Sequence, residues 1–438
     1  MKKNILLIVL FLSTFVQGWC QGEFYYVENL VSKQSIVRQH NGKKAIVYTT
    51  DYAEQGFCLM DFSTMTATYA KLPSRVVVND FEILGDRVYF CGTYGVFPYL
   101  GHFNISGLFG GTDDFHLHHL DCSDPFYKIT DPEKLDVYNS NGADHVVMVG
   151  GALHYDASGS NAISERFVMD VHHTLSNWIG GNAVFNEASA DYFYDIVATD
   201  NYVITIEGKE PGGNAHYMRA FDKPTTTTVD IFSSATWHTC YHSQGDYFPS
   251  SNFLLTRMSG DQFATVCYSE NQGQFGAAIS VFQAPWTLLH RGIIDQGTSA
   301  TTGCRLKEIV YNPVTNAISL LQDMAYPFST ANVSTICQID AGNNASAHYN
   351  DSYVLHSLCN WTNDGSVMAT GTNMIGWLSA FRHGTAENSC HFLAGLTPLP
   401  LRSKDGLSEA YWPTVAIIGR CVISSPTITT HTIINKCR

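Results

Sequence analysis

The sequence predicts an all-β chain in which seven similar units form a closed ring of four-stranded antiparallel sheets. Three observations support this prediction: a composition poor in helix-forming runs, a strand–turn–strand pattern that recurs along the chain, and surplus strand-like segments at both ends. Of the 438 residues, 45% are apolar, 13% are aromatic and 35 are glycines. Such a composition is typical of β-rich proteins with many turns.

The first twenty residues predict a secretion signal. Lys2 and Lys3 precede an apolar run from Ile5 to Val16, and the small side chains that follow predict cleavage before Gln21. A lipid anchor at Cys20 is the alternative. No other apolar stretch of the sequence approaches the ~18–20 residues that span a bilayer. We therefore expect no transmembrane span and a secreted or periplasmic protein.

Residues 21–438 are predicted to form a single domain of repeated units. In the clearest copy, NDFEIL and RVYFCGTY flank a turn at Gly85 and Asp86. Equivalent turns follow one another at intervals of 43–60 residues, and each unit continues into a third strand and, in most units, a looser fourth one. The predicted units are 35–72, 79–120, 134–181, 194–232, 252–292, 306–340 and 353–395.

The segments 24–29 and 415–435 are surplus to these units and are predicted to close the ring. A closed ring of sheets leaves few exposed strand edges, which otherwise invite aggregation. A stack of separate sandwich domains is the alternative architecture, and it explains the regular spacing less well.

Charge and cysteine content restrict the class of partner and the compartment. The formal net charge is −14, and no basic stripe is present, so nucleic acid is not an expected partner. Eleven of the 12 cysteines remain after the predicted cleavage, so at least one is unpaired. Several cysteines lie inside apolar strands, where a free thiol behaves as a small hydrophobic group.

The repeats resemble those of secreted bacterial β-propeller proteins over nearly all of the mature chain. The third unit is similar to a kelch repeat, because Gly150 and Gly151 follow its second strand and are followed in turn by Asp170 and Trp178. The resemblance implies a propeller fold with ligands bound at the mouth of the central channel. It implies no particular activity, because one fold hosts many functions.

Candidate binding residues lie in loops that such a fold brings to the channel mouth. Aromatic rings combine a large contact area with a polar atom, which suits recognition of a sugar or a peptide. The alternative is that these side chains only cover the ends of the sheets. The candidates are Trp237, His238, Tyr241 and His242 in a long loop before the fifth unit, His154 and Tyr155 in the third, and Tyr94 and Tyr99 in the second.

Neither a metal nor another cofactor is predicted. The segment 113–124 contains three histidines, but His116 and His118 share one strand face while His119 points away, and an exposed edge strand is the favoured interpretation. His172 and His173 receive the same interpretation. No motif for a nucleophile or a phosphate-binding loop occurs, so no catalytic residue is assigned.

The sequence thus favours an exported binding module that recognises a glycan or an envelope protein through channel-mouth loops. One alternative is a carbohydrate-active hydrolase or lyase that uses carboxylates and histidines of the rim. Another is a purely structural surface protein.

Overall fold

The computed structural model describes residues 21–27, 34–50 and 414–424, together with most of the chain between 55 and 378. The longer segments outside this description within 55–378 are 186–192, 210–214, 224–236, 244–252, 296–303, 326–331, 341–345 and 351–354. The predicted secretion signal, residues 28–29 and 425–435 of the predicted closing segments, and residues 379–395 of the last predicted unit also lie outside the described residues.

Five sheets each contain four antiparallel strands in sequential order, and we refer to each four-stranded group as a blade. The second blade contains β6 (Val76–Leu84), β7 (Arg87–Tyr94), β8 (Phe97–Asn104) and β9 (His116–His119). The third contains β10 (Tyr127–Ser140), β11 (Ala143–Tyr155), β12 (Ala162–Thr174) and β13 (Asn177–Phe185). The fourth contains β14 (Phe193–Ala198), β15 (Tyr202–Lys209), β16 (Ala215–Asp222) and β17 (Trp237–Ser243).

The fifth blade contains β18 (Phe253–Arg257), β19 (Gln262–Asn271), β20 (Gln274–Gln283) and β21 (Thr287–Asp295). The sixth contains β22 (Cys304–Asn312), β23 (Ala317–Ala325), β24 (Asn332–Asp340) and β25 (Ser346–Asn350). One short helix, α1 (Ile105–Phe109), follows β8.

The remaining strands form a nine-stranded sheet that includes both ends of the described chain. Its order is β2-β3-β4-β5-β29-β1-β28-β27-β26. The N-terminal strand β1 therefore lies between β28 and β29, and β29 also pairs with β5. The strands are β1 (Gln21–Val27), β2 (Gln34–His40), β3 (Lys44–Thr50), β4 (Gln55–Asp61), β5 (Thr66–Lys71), β26 (Leu355–Trp361), β27 (Ser366–Gly371), β28 (Met374–Leu378) and β29 (Thr414–Ser424).

The first strands of the blades pack against one another in a ring. The contacts run from β2 to β6, β10, β14, β18, β22 and β26, and β26 packs back against β2. This arrangement confirms the all-β propeller fold of four-stranded antiparallel sheets. The count of seven blades stays a prediction; it treats β2–β5 as the first blade and β26–β28 with β1 as the seventh.

The turns between first and second strands have the backbone conformation that their residues favour. Gly42, Gly85, Gly142 and Gly260 adopt positive φ angles of 64°, 64°, 84° and 64°, and Asn316 adopts 52°. Glycine and asparagine are the residues that tolerate this left-handed region. Five of the seven predicted turn positions therefore have the predicted chemistry.

The fourth strands were the least well predicted. In the fourth blade the outer strand is β17 (Trp237–Ser243), which lies beyond the predicted unit end at 232. In the sixth blade β25 supplies a fourth strand beyond the predicted unit end at 340. Outer strands have one partner strand and weaker patterning, so composition defines them poorly.

The core lies between neighbouring blades, because most strands are covered on both faces. Between the first two blades the ring of Phe57 contacts those of Phe81, Phe90 and Phe103 at centroid distances of 5.3, 5.5 and 5.0 Å. A separate apolar cluster joins the second blade to the third through Tyr89, Leu100 and other side chains. Each blade therefore contributes two apolar faces to the ring.

Three cysteines with described side chains, Cys58, Cys91 and Cys359, are free and buried, which agrees with the prediction of at least one unpaired thiol. Burial raises the pKa of Cys58 to about 12. Among the described residues, no helix is long and apolar enough to cross a membrane.

Candidate functional site

Strand direction decides which loops share a face of the propeller. Because neighbouring strands are antiparallel, the turns between second and third strands lie at the same end as the segments that lead into first strands. We call this end the loop face. In the described chain it includes the β7–β8 turn, the β11–β12 connection and the residues just before β10.

The two predicted tyrosines of the second blade differ in position. Tyr94 ends β7 and is exposed, and Phe97 begins β8 with 53% of its surface exposed. Tyr99 is only 2% exposed, and its hydroxyl donates to the Val77 carbonyl oxygen at 2.9 Å. Tyr99 is therefore not exposed on the loop face as predicted, because β8 is covered on both faces by the neighbouring blades, and a ligand contact by Tyr99 stays a prediction.

The predicted pair in the third blade, His154 and Tyr155, lies on the loop face. The imidazole of His154 stacks on the ring of Tyr127 at 4.4 Å, and its Nδ1 lies 3.1 Å from Oε1 of the buried Glu165. Tyr155 is half-buried, and its backbone N–H donates to the Phe126 carbonyl oxygen at 2.7 Å. These contacts hold the end of β11 in a fixed position beside the loop that leads into β10.

The four predicted residues of the fourth blade lie in a strand. Trp237, His238, Tyr241 and His242 belong to β17, so the prediction that they form a loop leading into the next first strand is wrong. Trp237 pairs with Phe221 at the end opposite the loop face, whereas His242 pairs with His216 toward the loop face. The sequence analysis ended the fourth unit at 232 and took the residues that follow as a loop, whereas the fourth strand begins only after the segment 224–236. A ligand contact by these residues stays a prediction.

Exposed apolar side chains gather on the loop face of the second and third blades. Several of the large exposed hydrophobic residues in the described chain lie there, and the asparagine Nδ2 of Asn79 ties the two blades together by donating to the Pro132 carbonyl oxygen at 2.8 Å. Contiguous exposed apolar surface marks binding sites more often than it marks ordinary surface. This apolar patch consists of Val77, Tyr94, Val96, Phe97, Phe126 and Ile163.

A second polar feature, which the sequence interpretation missed, lies along the first strands. Arg38 of β2 is 13% exposed at its side chain and binds three carboxylates. Its guanidinium reaches Asp80 at 3.0 Å and Glu82 at 2.5 Å on β6, and Glu308 at 2.7 Å on β22. One cation therefore joins the first, second and sixth blades across the inner wall of the ring.

Carboxylates of this inner wall also bind the backbone of the next blade. Asp80 accepts from the Leu135 N–H at 3.2 Å, and Asp195 accepts from the Leu255 N–H at 2.7 Å. Glu308 accepts from the Leu358 N–H at 2.7 Å. Each bond satisfies a backbone donor that no sheet ladder reaches, so the acidic residues hold neighbouring first strands together.

The acidic residues follow bulges in the first strands. The strand register shifts between Val78 and Asp80, between Phe193 and Asp195, and between Leu306 and Glu308. A bulge redirects a side chain out of the sheet plane, here toward the adjoining blade. The signal in the sequence was an acidic residue at an equivalent position of several predicted first strands, namely Asp80, Asp195 and Glu308. That recurrence would have predicted the charged inner wall.

Burial raises the pKa values of two of these acids. The pKa of Glu82 rises to about 8, because the cost of burying its charge and the nearby Asp136 and Asp80 outweigh the opposing effect of Arg38. The pKa of Asp195 rises to about 7 for the same reason, against the effect of Lys134. Both acids therefore change charge near neutral pH, where acid–base catalysts operate.

The histidine-rich segment behaves mostly as predicted. His116 and His118 lie in β9, the outer strand of the second blade, and both rings stack on His102 at 4.8 and 5.6 Å. The interpretation of His172 as an exposed edge residue is wrong, because β12 is a third strand and His172 is buried against the fourth blade.

The fold and the site define a β-propeller with a charged inner wall and an apolar loop face. No protein-family model matches the sequence, and no curated protein matches it. Among solved structures, a PL25 ulvan lyase bound to a GlcA–Rha3S saccharide is similar with a TM-score of 0.43 and 10% identity, over 82% of this chain and 96% of that one.

Two further solved structures show a comparable level of similarity. The NanB sialidase of Streptococcus pneumoniae has a TM-score of 0.42 and 7% identity, over 84% of this chain and 96% of that one. Prolyl oligopeptidase B of Galerina marginata has a TM-score of 0.40 and 8% identity, over 81% of this chain and 47% of that one. Likenesses this weak transfer no activity to this chain.

Proposed function

We propose that this chain is an exported binding module that recognises a glycan, or else an envelope protein, through the loop face of its second and third blades. The observation that carries the proposal is the apolar patch, in which Tyr94, Phe97 and Phe126 expose aromatic rings on the loop face of two adjoining blades. Flat rings pack on the apolar faces of sugar rings and lose little side-chain entropy when they do so.

Polar groups beside the patch favour a glycan over a purely apolar ligand. His154 is partly exposed and held by Glu165, and the Asn79 side chain bridges to Asp131 at 2.6 Å. Binding sites for small ligands combine an apolar surface with a few fixed polar groups of this kind. A glycan offers both the apolar ring faces and the hydroxyls that these groups would bind.

The test is a glycan array on the chain from residue 21 onward, followed by titration of the best ligand. Phe97→Ala should weaken binding by about 2 kcal/mol, or roughly thirtyfold, if Phe97 is an anchor of the interface. Val314→Ala is the matched control, because Val314 is equally apolar and exposed but lies in the turn between β22 and β23 on the opposite face. Equal affinity of wild type and Phe97→Ala for that ligand would refute the proposal.

An empty array leads to the protein alternative. Purified chain is then added to intact cell envelopes, with and without protease treatment, and the bound fraction is measured. Protease-sensitive binding that Phe97→Ala abolishes would identify an envelope protein as the ligand. Absence of binding in both experiments would leave the structural surface protein as the function.

A carbohydrate-active hydrolase or lyase is the second candidate, and one observation favours it. Asp80 and Glu82 are two carboxylates held by the same guanidinium, and the raised pKa of Glu82 suits a proton donor. Incubation of array ligands with the chain, with product release followed by mass spectrometry, tests this candidate. Products that appear with wild type and vanish with Glu82→Gln would replace the binding module with the enzyme.

Export is part of the proposal. The predicted mature chain begins at Gln21, which is also the first residue of β1, so cleavage there would leave the closing strand intact. Intact mass of the exported protein should correspond to a chain that starts at Gln21. A mass that includes a diacylglyceryl-modified Cys20 would instead show a lipid-anchored protein.

A further inference from the structure

A cluster of titratable side chains lies away from both the apolar patch and the inner wall. His145 begins the interior of β11, and Asp170 and His172 lie two residues apart on β12, so the two β12 side chains share one face. His145 pairs directly with His172 across the two strands. All three side chains are buried in the wall between the third and fourth blades.

The spacing of the three side chains is that of metal ligands. Nδ1 of His145 lies 3.2 Å from Oδ1 of Asp170, and Nε2 of His172 lies 3.6 Å from Oδ2 of Asp170. Each of the three residues offers one ligand atom, and these three atoms all lie within 4.8 Å of one another. Two ligands bound tetrahedrally to one zinc ion are about 3.4 Å apart, given bond lengths near 2.1 Å.

The surroundings make an ordinary polar pair a poor explanation of the cluster. The neighbouring side chains of the two blades are apolar, among them Val147, Val168 and Ile196. In the described part of the chain, Nε2 of His145 has no hydrogen-bond partner. A buried imidazole nitrogen left in this way is costly, so ordinary hydrogen bonds do not fully account for the burial of this ring.

An aromatic side chain holds one imidazole of the cluster in place. Tyr138 stacks on His145 at 4.6 Å, which fixes the orientation of that ring. The site is therefore rigid before any ion binds, as a selective metal site requires.

We propose that His145, Asp170 and His172 form a structural site for a zinc-class divalent metal ion between the third and fourth blades. Two imidazole nitrogens and one carboxylate suit Zn²⁺ or Co²⁺ and do not suit Ca²⁺ or Mg²⁺, which prefer oxygen ligands. Among the described residues this is the one group of three such side chains with ligand spacing. Because the ligands are buried, the ion would enter as the blades assemble and would stabilise their contact.

The test is refolding with and without metal. The chain is unfolded in guanidinium with a chelator, desalted, and refolded with one equivalent of Zn²⁺, Co²⁺ or Ca²⁺. We expect one Zn²⁺ or Co²⁺ per chain after desalting, a Tm higher than that of the metal-free chain, and the visible absorption of tetrahedral Co²⁺. No retained Zn²⁺ and an unchanged Tm in the wild-type chain would overturn the proposal without any variant.

Variants locate the ion. Asp170→Asn and His172→Gln should each lower metal affinity at least tenfold. His116→Gln and His118→Gln are matched controls, because they remove the same side chain from β9 outside the cluster and should retain the ion. Loss of binding in the controls but not in the cluster variants would assign the metal to β9. Circular dichroism of each variant separates lost binding from lost folding.

Discussion

Replacement of Arg38 by methionine tests whether the inner wall holds the ring together. Methionine retains much of the apolar stem but leaves Asp80, Glu82 and Glu308 without the guanidinium that they share. Removal of one partner from a buried ion pair costs about 3–5 kcal/mol, because the remaining charge stays buried and uncompensated. We expect a loss of this size in the free energy of unfolding at pH 8.

The assay is guanidinium or urea unfolding followed by tryptophan fluorescence, at pH 8 and at pH 5. Acidification should reduce the deficit, because protonation of Glu82, whose pKa is raised to about 8, removes one of the buried negative charges that Arg38 had balanced. Arg257→Met is the matched control: Arg257 also lies on a first strand and pairs with Asp200, but its side chain is 48% exposed. An exposed pair contributes about 0–1 kcal/mol.

Equal losses of stability in Arg38→Met and Arg257→Met would refute a stabilising role for the inner wall. An Arg38→Met deficit that is the same at both pH values would refute it too, since the loss would then come from packing alone. Loss of the contact between the guanidinium of Arg38 and the Phe81 ring, whose centroid lies 5.6 Å from Cζ, would produce that result.

Three further predictions follow from backbone geometry, acid burial and thiol burial. Gly92→Ala should destabilise the fold by more than about 2 kcal/mol, because the new Cβ would lie 1.9 Å from the Val77 carbonyl oxygen. Gly95→Ala should cost about 1 kcal/mol, because Gly95 has a φ of 65° but open space around it. Equal losses of stability in thermal unfolding of the two variants would contradict this prediction. The folded-state pKa of Glu82, about 8, exceeds its ordinary value of 4.5, so its stabilising contribution is complete below pH ~4.5 and is lost as pH rises through 8. Glu82→Gln should therefore flatten the decline in unfolding free energy between pH 6 and 9 by about 2 kcal/mol after solvent screening, since the side chain is 29% exposed, and an unchanged slope would contradict it. In a thiol titration of the native chain at pH 8, at least Cys58, Cys91 and Cys359 should remain unreacted. The same three thiols should react once the chain is unfolded without reductant.

The repeat architecture was accessible from the sequence because local chemistry defines it. Glycine or asparagine at the turns and apolar alternation on either side are consequences of a single strand pair, and both survive in the structure at Gly85 and its equivalents. Glycines within two of the second strands also have a structural cause. In the second and third blades, Gly92 and Gly150 face first-strand bulges, where the opposing carbonyl oxygens leave no room for a Cβ.

The candidate site was less accessible because it depends on contacts between blades. Tyr99 resembles the exposed Tyr94 in sequence, and only the packing of β8 between two neighbours separates the buried ring from the exposed one. The partners of Arg38 lie 42, 44 and 270 residues away along the chain, so no local sequence pattern predicts these contacts. His172 was misjudged for the same reason.

The position of β1 has a consequence for the order in which the protein folds. Gly22 pairs with Leu378 and with Ile423, so an early strand of the described chain finds its partners among strands that are synthesised much later. Contacts of such large sequence separation form slowly, because the chain must lose the entropy of a long loop before the stabilising contacts can form. The N-terminal strand therefore remains available to other strand edges throughout translation, and the ring closes only after residue 423 has emerged. A chain truncated before β29 would retain every other strand yet keep two unpaired outer edges, on β1 and β5, as sites for self-association.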